Sequence, residues 1–157
     1  MAETGRLKIE NARIIFRNFA GKEAKFNPAG RRNFCVLIDP NTAADLAADG
    51  WNIKYLTPRD PDDEQQPYLQ VTVAYGDYPP RITLISGTTK TELNEDTVSV
   101  LDYAEIENVD LIIQPYTWSV NGKGGIKAYL KTMYITIVED EFAKKYKDFD
   151  SEDSLPF

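Results

Sequence analysis

Alternation of apolar and polar residues dominates this chain, and it predicts strands. Residues 6–17 start with strict alternation through Leu7 and Ile9, then slip phase near Asn11–Ala12, as a bulged or bent strand does. Residues 31–38 read as a second, more buried strand. Asp39-Pro40-Asn41 then supplies turn and cap residues for a short helix over 42–49, ended by Gly50. Residues 51–56 and 67–75 are strand-like on either side of an acidic, proline-containing loop, and 81–86 follow Tyr78-Pro79-Pro80 as a further strand. The stretch 96–108 permits a strand at 97–101 or a helical turn around Asp102–Ile106. Two long apolar-aromatic runs, 109–120 and 126–138, flank Asn121-Gly122-Lys123-Gly124-Gly125, a strong hairpin signal. A short helix is expected over 140–147, and a flexible acidic tail from Asp148. About seven strands with one or two short helices predict a mainly β protein, a barrel or sandwich.

Composition narrows the chemistry. The 157 residues suffice for one domain with one core, and no apolar run approaches the ~20 residues of a membrane helix. The start lacks a signal-peptide pattern, so a cytoplasmic location is expected. Histidine is absent and Cys35 is the single cysteine. Every His-dependent mechanism, any intramolecular disulfide and any multi-cysteine metal site are thereby closed. The subtraction favours a binding protein over an enzyme, with no cofactor and no metal.

The net charge of −7 does not exclude a polyanionic partner. Acid is concentrated at 57–66, net −3, and at 139–157, net −4, while the remainder carries 14 basic and 14 acidic side chains. A neutral body has room for a basic face. On the second hairpin strand, Lys127, Tyr129 and Lys131 fall on one face, and Ile126, Ala128, Leu130 and Thr132 on the other. Tyr116 and Trp118 share a face of the preceding strand. Rings between cations suit single-stranded nucleic acid, because bases stack on rings while phosphates require positive charge. The same positions also suit a half-exposed strand with snorkelling lysines. Further basic-aromatic mixtures sit at Arg13, Phe16 and Arg17, at Phe19, Lys22, Lys25 and Phe26, and at Arg31, Arg32 and Phe34, with Phe16 and Phe34 read as core. Cys35 reads as a buried small hydrophobe, and Asp60, Asp62, Asp63 and Glu64 as a solvated loop without EF-hand spacing.

The chain ends Asp148-Phe149-Asp150-Ser151-Glu152-Asp153-Ser154-Leu155-Pro156-Phe157. An acidic run closing in an aliphatic residue, Pro and Phe resembles the tip of the single-stranded DNA-binding proteins of bacteria and their phages. The Tyr116/Trp118, Gly-rich turn and Tyr129 hairpin is similar to the phage branch. The resemblance implies an OB-fold-like five-stranded barrel with extra strands over 1–138, then a helical connector and acidic interaction tail over 139–157. It implies sequence-independent ssDNA binding in replication, recombination and repair, without catalysis. Tyr116, Trp118 and Tyr129 are the stacking candidates. Lys127, Lys131, Lys123, Arg13, Arg17, Lys22, Lys25, Arg31 and Arg32 are the candidate phosphate contacts. Asp150, Glu152, Asp153, Leu155, Pro156 and Phe157 are implied to dock replication or repair proteins. The bacterial Gly/Gln/Pro-rich linker is missing, so a monomer or homodimer is expected rather than a tetramer. Two other classes fit parts of the pattern: a structural β-barrel of a virion, and a carboxylate-metal nuclease using the 60–64 acids.

Overall fold

The computed structural model describes residues 5–23, Lys25 and 27–138. The expected helix at 140–147, the acidic tail and Phe26 lie outside the described residues. The first predicted strand is two, β1 (Leu7–Ile9) and β2 (Ile14–Asn18), separated where the alternation slips and where Asn11 takes φ 54°. β3 (Arg32–Leu37) leads into α1 (Pro40–Asp49). Asp39 caps that helix, its Oδ2 accepting from Thr42 N at 2.9 Å and Thr42 Oγ1 at 2.7 Å, and Gly50 ends it at φ 104°. β4 (Ile53–Leu56), β5 (Gln66–Val73), β6 (Arg81–Ser86) and β7 (Thr89–Leu93) follow, then a 3-10 helix (Val98–Asp102) and the long hairpin of β8 (Ile106–Val120) and β9 (Lys123–Ile137).

The strands form one sheet along the path β1-β8-β9-β5-β3-β2, with β4 beside β5, and β6 joining β9 to β7. β1 and β2 are consecutive in sequence yet stand at opposite ends of that path. The sheet therefore curls until its ends meet at the chain segment between them. Ala12 N donates to Val109 O of β8 at 2.7 Å, and Leu37 N of β3 donates to Arg13 O at 2.9 Å. Taking β1 and β2 as halves of one strand, the curl is an OB-like five-strand path, although its ladder is not continuous. β4, β6 and β7 are the additions.

The enclosed core holds Phe19, Phe34, Leu69, Ile82, Leu101, Ile113, Met133 and Ile135, all essentially without exposure, each contributing about 1.5–3 kcal/mol by its burial. Phe19 stacks on Phe34, centroids 5.2 Å apart, so this ring of the first basic-aromatic loop belongs to the core. Asp102 fixes the loop after β2 by accepting from Phe19 N at 2.6 Å and Ala20 N at 3.0 Å.

Three expectations are corrected, and one strand is added. Residues 98–102 are 3-10 helix, so 97–101 is not a strand and the turn precedes Asp102–Ile106. β7 was not foreseen: four of its five residues are polar and exposed, so alternation gives no signal there. The hairpin turn is two residues, Asn121 and Gly122 at φ 51° and 79°, the left-handed pair of a type I′ turn, and Lys123 to Gly125 belong to β9. Phe34 is core, but Phe16 is 61% exposed.

Cys35 is buried in β3, and burial pushes its thiol up to about 11. The thiolate is the nucleophile, so the native thiol stays protonated at neutral pH. We expect alkylation at pH 7.5 to run about a hundredfold slower in native protein than in urea-unfolded protein, as followed by mass spectrometry.

Candidate nucleic-acid interface

The site grows from a pairing defect. β5 and β9 run parallel and meet at one register position, Thr72 opposite Tyr129. Before it, β5 is occupied by β4 over residues 66–69; beyond it, β9 is occupied by β6 over residues 132–136. The two strands therefore part on either side of the Thr72–Tyr129 contact and leave a cleft.

One hollow of about 530 Å³ lies toward the hairpin tip, between Gln70, Thr72, Trp51, Asn52 and Arg31 on one side and Trp118, Gly125 and Lys127 on the other. A second, of about 620 Å³, lies between Ala74, Gly76, Asp77 and Tyr78 and the hairpin residues Gln114, Tyr116, Tyr129 and Lys131. A third, of about 450 Å³, continues from Arg31 and Thr72 to Arg32, Tyr75 and Glu95. Along β9, Lys127, Tyr129 and Lys131 span about 13 Å of this cleft at ~3.3 Å per residue.

The predicted faces are realised through Tyr129. Ile126, Ala128 and Leu130 are buried, while Lys127 and Lys131 are exposed. Tyr116 pairs with Lys127 and Gln114 with Tyr129, so their side chains share the outer face. A bulge then falls on β9: Ile112 opposes Thr132 and Ile113 opposes Leu130, which leaves Lys131 as the extra residue. The phase flips there. Met133 and Ile135 face the core, and Thr132 is not in one inward series with Leu130.

Electrostatics and ring geometry converge on this face. Lys127 Nζ lies 5.3 Å from the Tyr129 ring centroid, and Tyr116 meets Tyr129 edge-on at 6.2 Å. Tyr116 is 59% exposed and Trp118 41%. Trp118 rests on Gly125, where an added Cβ would stand 3.2 Å from the indole, so a glycine is what lets the ring lie against β9.

The other candidates scatter. Arg31 joins the first hollow, and Lys123 is exposed beside the hairpin turn. Arg32 is largely covered, 3.7 Å from Glu95 and stacked 5.4 Å from the Tyr75 ring centroid. Arg13 is exposed on the bend before β2 and lines none of the three hollows. Lys22 and Lys25 stand on the loop after β2; Lys22 Nζ donates to Tyr103 OH, which raises its pKa. Arg17 turns to structural work, its Nη1 donating to Leu101 O and Ala104 O, both at 2.8 Å. The tail candidates Asp150, Glu152, Asp153, Leu155, Pro156 and Phe157 lie outside the described residues. Sequence reading passed over Tyr78, 94% exposed on the far wall of the second hollow, and Gln70 and Thr72. Only Tyr78, an aromatic in a Pro-rich turn, carried a sequence signal.

A family model described as "Putative phage ssDNA-binding domain" matches residues 2–155. The chain belongs to this family. Its fold is similar to solved structures of the single-stranded DNA-binding protein from bacteriophage Enc34. The C-terminally truncated form matches at TM-score 0.55 and 13% identity over 87% of each chain. The form in complex with ssDNA matches at TM-score 0.55 and 13% identity, over 88% of this chain and 89% of that one. Comparison with curated protein sequences gives no match. Among the described residues no helix is long and apolar enough to cross a membrane, and no group of three or more Asp, Glu, Cys or His is placed to hold a metal ion.

The division between cleft and scaffold is measurable. Arg17→Ala should lower unfolding free energy in urea by about 1.5–3 kcal/mol, the usual loss for a charged donor to partly buried carbonyls. Lys127→Ala should stay within about 0.5 kcal/mol of the parent.

Proposed function

We propose that this member of the phage ssDNA-binding family binds single-stranded DNA without sequence preference, through the β5–β9 cleft, and protects it in replication, recombination and repair without catalysis. The observation that carries the reading is the cleft itself. One continuous face alternates Trp118, Lys127, Tyr129, Tyr116 and Lys131 and is opposed by Arg31 and Tyr78. Bases stack on the rings, the cations neutralise phosphates, and the strand and hairpin surfaces are those that OB-type barrels use for oligonucleotides. A duplex offers no unstacked base to the rings, so single strands are preferred. The acidic tip, Asp150, Glu152, Asp153 and Leu155-Pro156-Phe157, is proposed to dock partner enzymes, with the Phe157 ring entering an apolar pocket and the acids drawing in its basic rim.

Three cleft cations, Arg31, Lys127 and Lys131, together with Lys123 at the hairpin tip, set the expected salt dependence. At about 0.7 per phosphate contact, log K for oligothymidylate should fall with log salt at a slope of about −3. Trp118→Ala and Tyr129→Ala should each weaken binding by about 1–3 kcal/mol with the protein still folded. Fluorescence anisotropy at several salt concentrations checks both, and tighter binding of duplex than of single strand overturns the reading. Deleting 148–157 should abolish capture of partner enzymes in a host-extract pull-down while tightening ssDNA binding modestly at low salt. Deleting Phe157 alone should lose the partners and leave ssDNA affinity unchanged.

A further inference from the structure

We propose that Phe16 and Tyr68 form a second stacking platform for single-stranded nucleic acid, outside the cleft, on the outer face of β2, β3 and β5. The proposal rests on the reading that the cleft holds ssDNA and extends the path of that strand.

Phe16 sits at φ 52°, a left-handed conformation that a bulky aromatic side chain adopts only when its surroundings enforce it. The position is a bulge: Ile15 opposes Cys35 and Asn18 opposes Asn33, so Phe16 and Arg17 together fill the step opposite Phe34. Unbroken alternation from Ile14, which opposes the core residue Val36, places residue 16 inward. The bulge lets Arg17 reach the carbonyls of Leu101 and Ala104, and it throws the Phe16 ring outward. Burial does not offset the disfavoured backbone, because the residue is 61% exposed. The hydrogen bonds of Arg17 account for the bulge, and what the bulge leaves in solvent is an apolar ring that a ligand can cover.

The ring is also well placed. It meets Tyr68 edge-to-face, centroids 6.0 Å apart and planes at 74°. Tyr68, Gln70 and Thr72 alternate along the outer face of β5, and Gln70 and Thr72 line the first hollow. Tyr68 is thus the next step along that face, about 7 Å beyond Gln70. Lys54 of β4 is in register with Tyr68, and its Nζ lies 3.4 Å from Gln70 Oε1. The arrangement repeats that of the cleft, where Tyr116 meets Tyr129 edge-on beside Lys127. A strand leaving the first hollow across Gln70 finds a ring for a base and an ammonium group for a phosphate.

Oligonucleotide length separates this platform from the cleft. Wild type, Phe16→Gly, Phe16→Trp and Tyr68→Leu are titrated by anisotropy with oligothymidylates of about 5 and about 16 nucleotides, the span of known OB-fold site sizes. Glycine tolerates the positive φ, so Phe16→Gly should melt no lower than wild type. It should bind the long oligonucleotide about fivefold to a hundredfold more weakly and the short one unchanged. Tyr68→Leu should show the same length-selective loss, and Phe16→Trp should match wild type. If Phe16→Gly and Tyr68→Leu match wild type at both lengths, the platform is overturned while the cleft stands. If Phe16→Gly does not fold, Tyr68→Leu alone decides between the same two results. If wild type binds neither oligonucleotide, the cleft reading fails and the platform with it.

Discussion

The organisation of this protein depends on one strand contact, Thr72 of β5 against Tyr129 of β9. Both strands change partners around that point, β5 from β4 to β9 and β9 from β5 to β6. Backbone groups at such a changeover are no longer held edge to edge, and the right-handed twist of the sheet carries the two strands apart. The result is a cleft bounded on both sides by regular strands, which hold side chains more rigidly than loops do. The bulge at Lys131 belongs to the same changeover. It rotates β9 so that the residues beyond it turn Met133 and Ile135 into the core while Lys131 remains at the cleft.

The long hairpin serves the cleft because its two halves differ. Near the barrel, Val109, Leu111 and Ile113 of β8 and Met133 and Ile135 of β9 are buried and anchor it. Toward the tip, residues 116–120 of β8 are exposed, so the rings of Tyr116 and Trp118 are supported chiefly by β9. The type I′ turn at Asn121-Gly122 matches strand twist and fixes register, which keeps Tyr116 opposite Lys127 and Trp118 opposite Gly125. A one-residue slip would carry those rings to the opposite face.

Much of this was legible in the residues. The hairpin, its outward series Lys127 and Tyr129, the cap at Asp39 and the phase slip near Asn11–Ala12 all follow from local rules, since alternation, turn chemistry and capping act over a few neighbouring residues. The failures share a cause. Phe16 reads as core because alternation assumes an unbroken strand, and the bulge that reverses it exists to satisfy carbonyls at Leu101 and Ala104, far along the chain. Thr132 leaves the inward series for the same reason, because the bulge at Lys131 breaks the alternation. β7 is polar on both faces because it is a sheet edge, where charged and polar residues discourage pairing with other chains.

The class of the fold, the hairpin and the cation-aromatic alternation of one of its faces are each written in residues close together in the chain. Long-range packing selects which cations and rings line a common cleft. Arg31, Gln70 and Tyr78 stand across from Trp118, Lys127 and Tyr129, whereas Arg17 is drawn to the 3-10 helix and Arg32 to Glu95. That selection comes from a parallel pairing between strands distant in the chain. No local pattern encodes a pairing between residues so far apart in the chain.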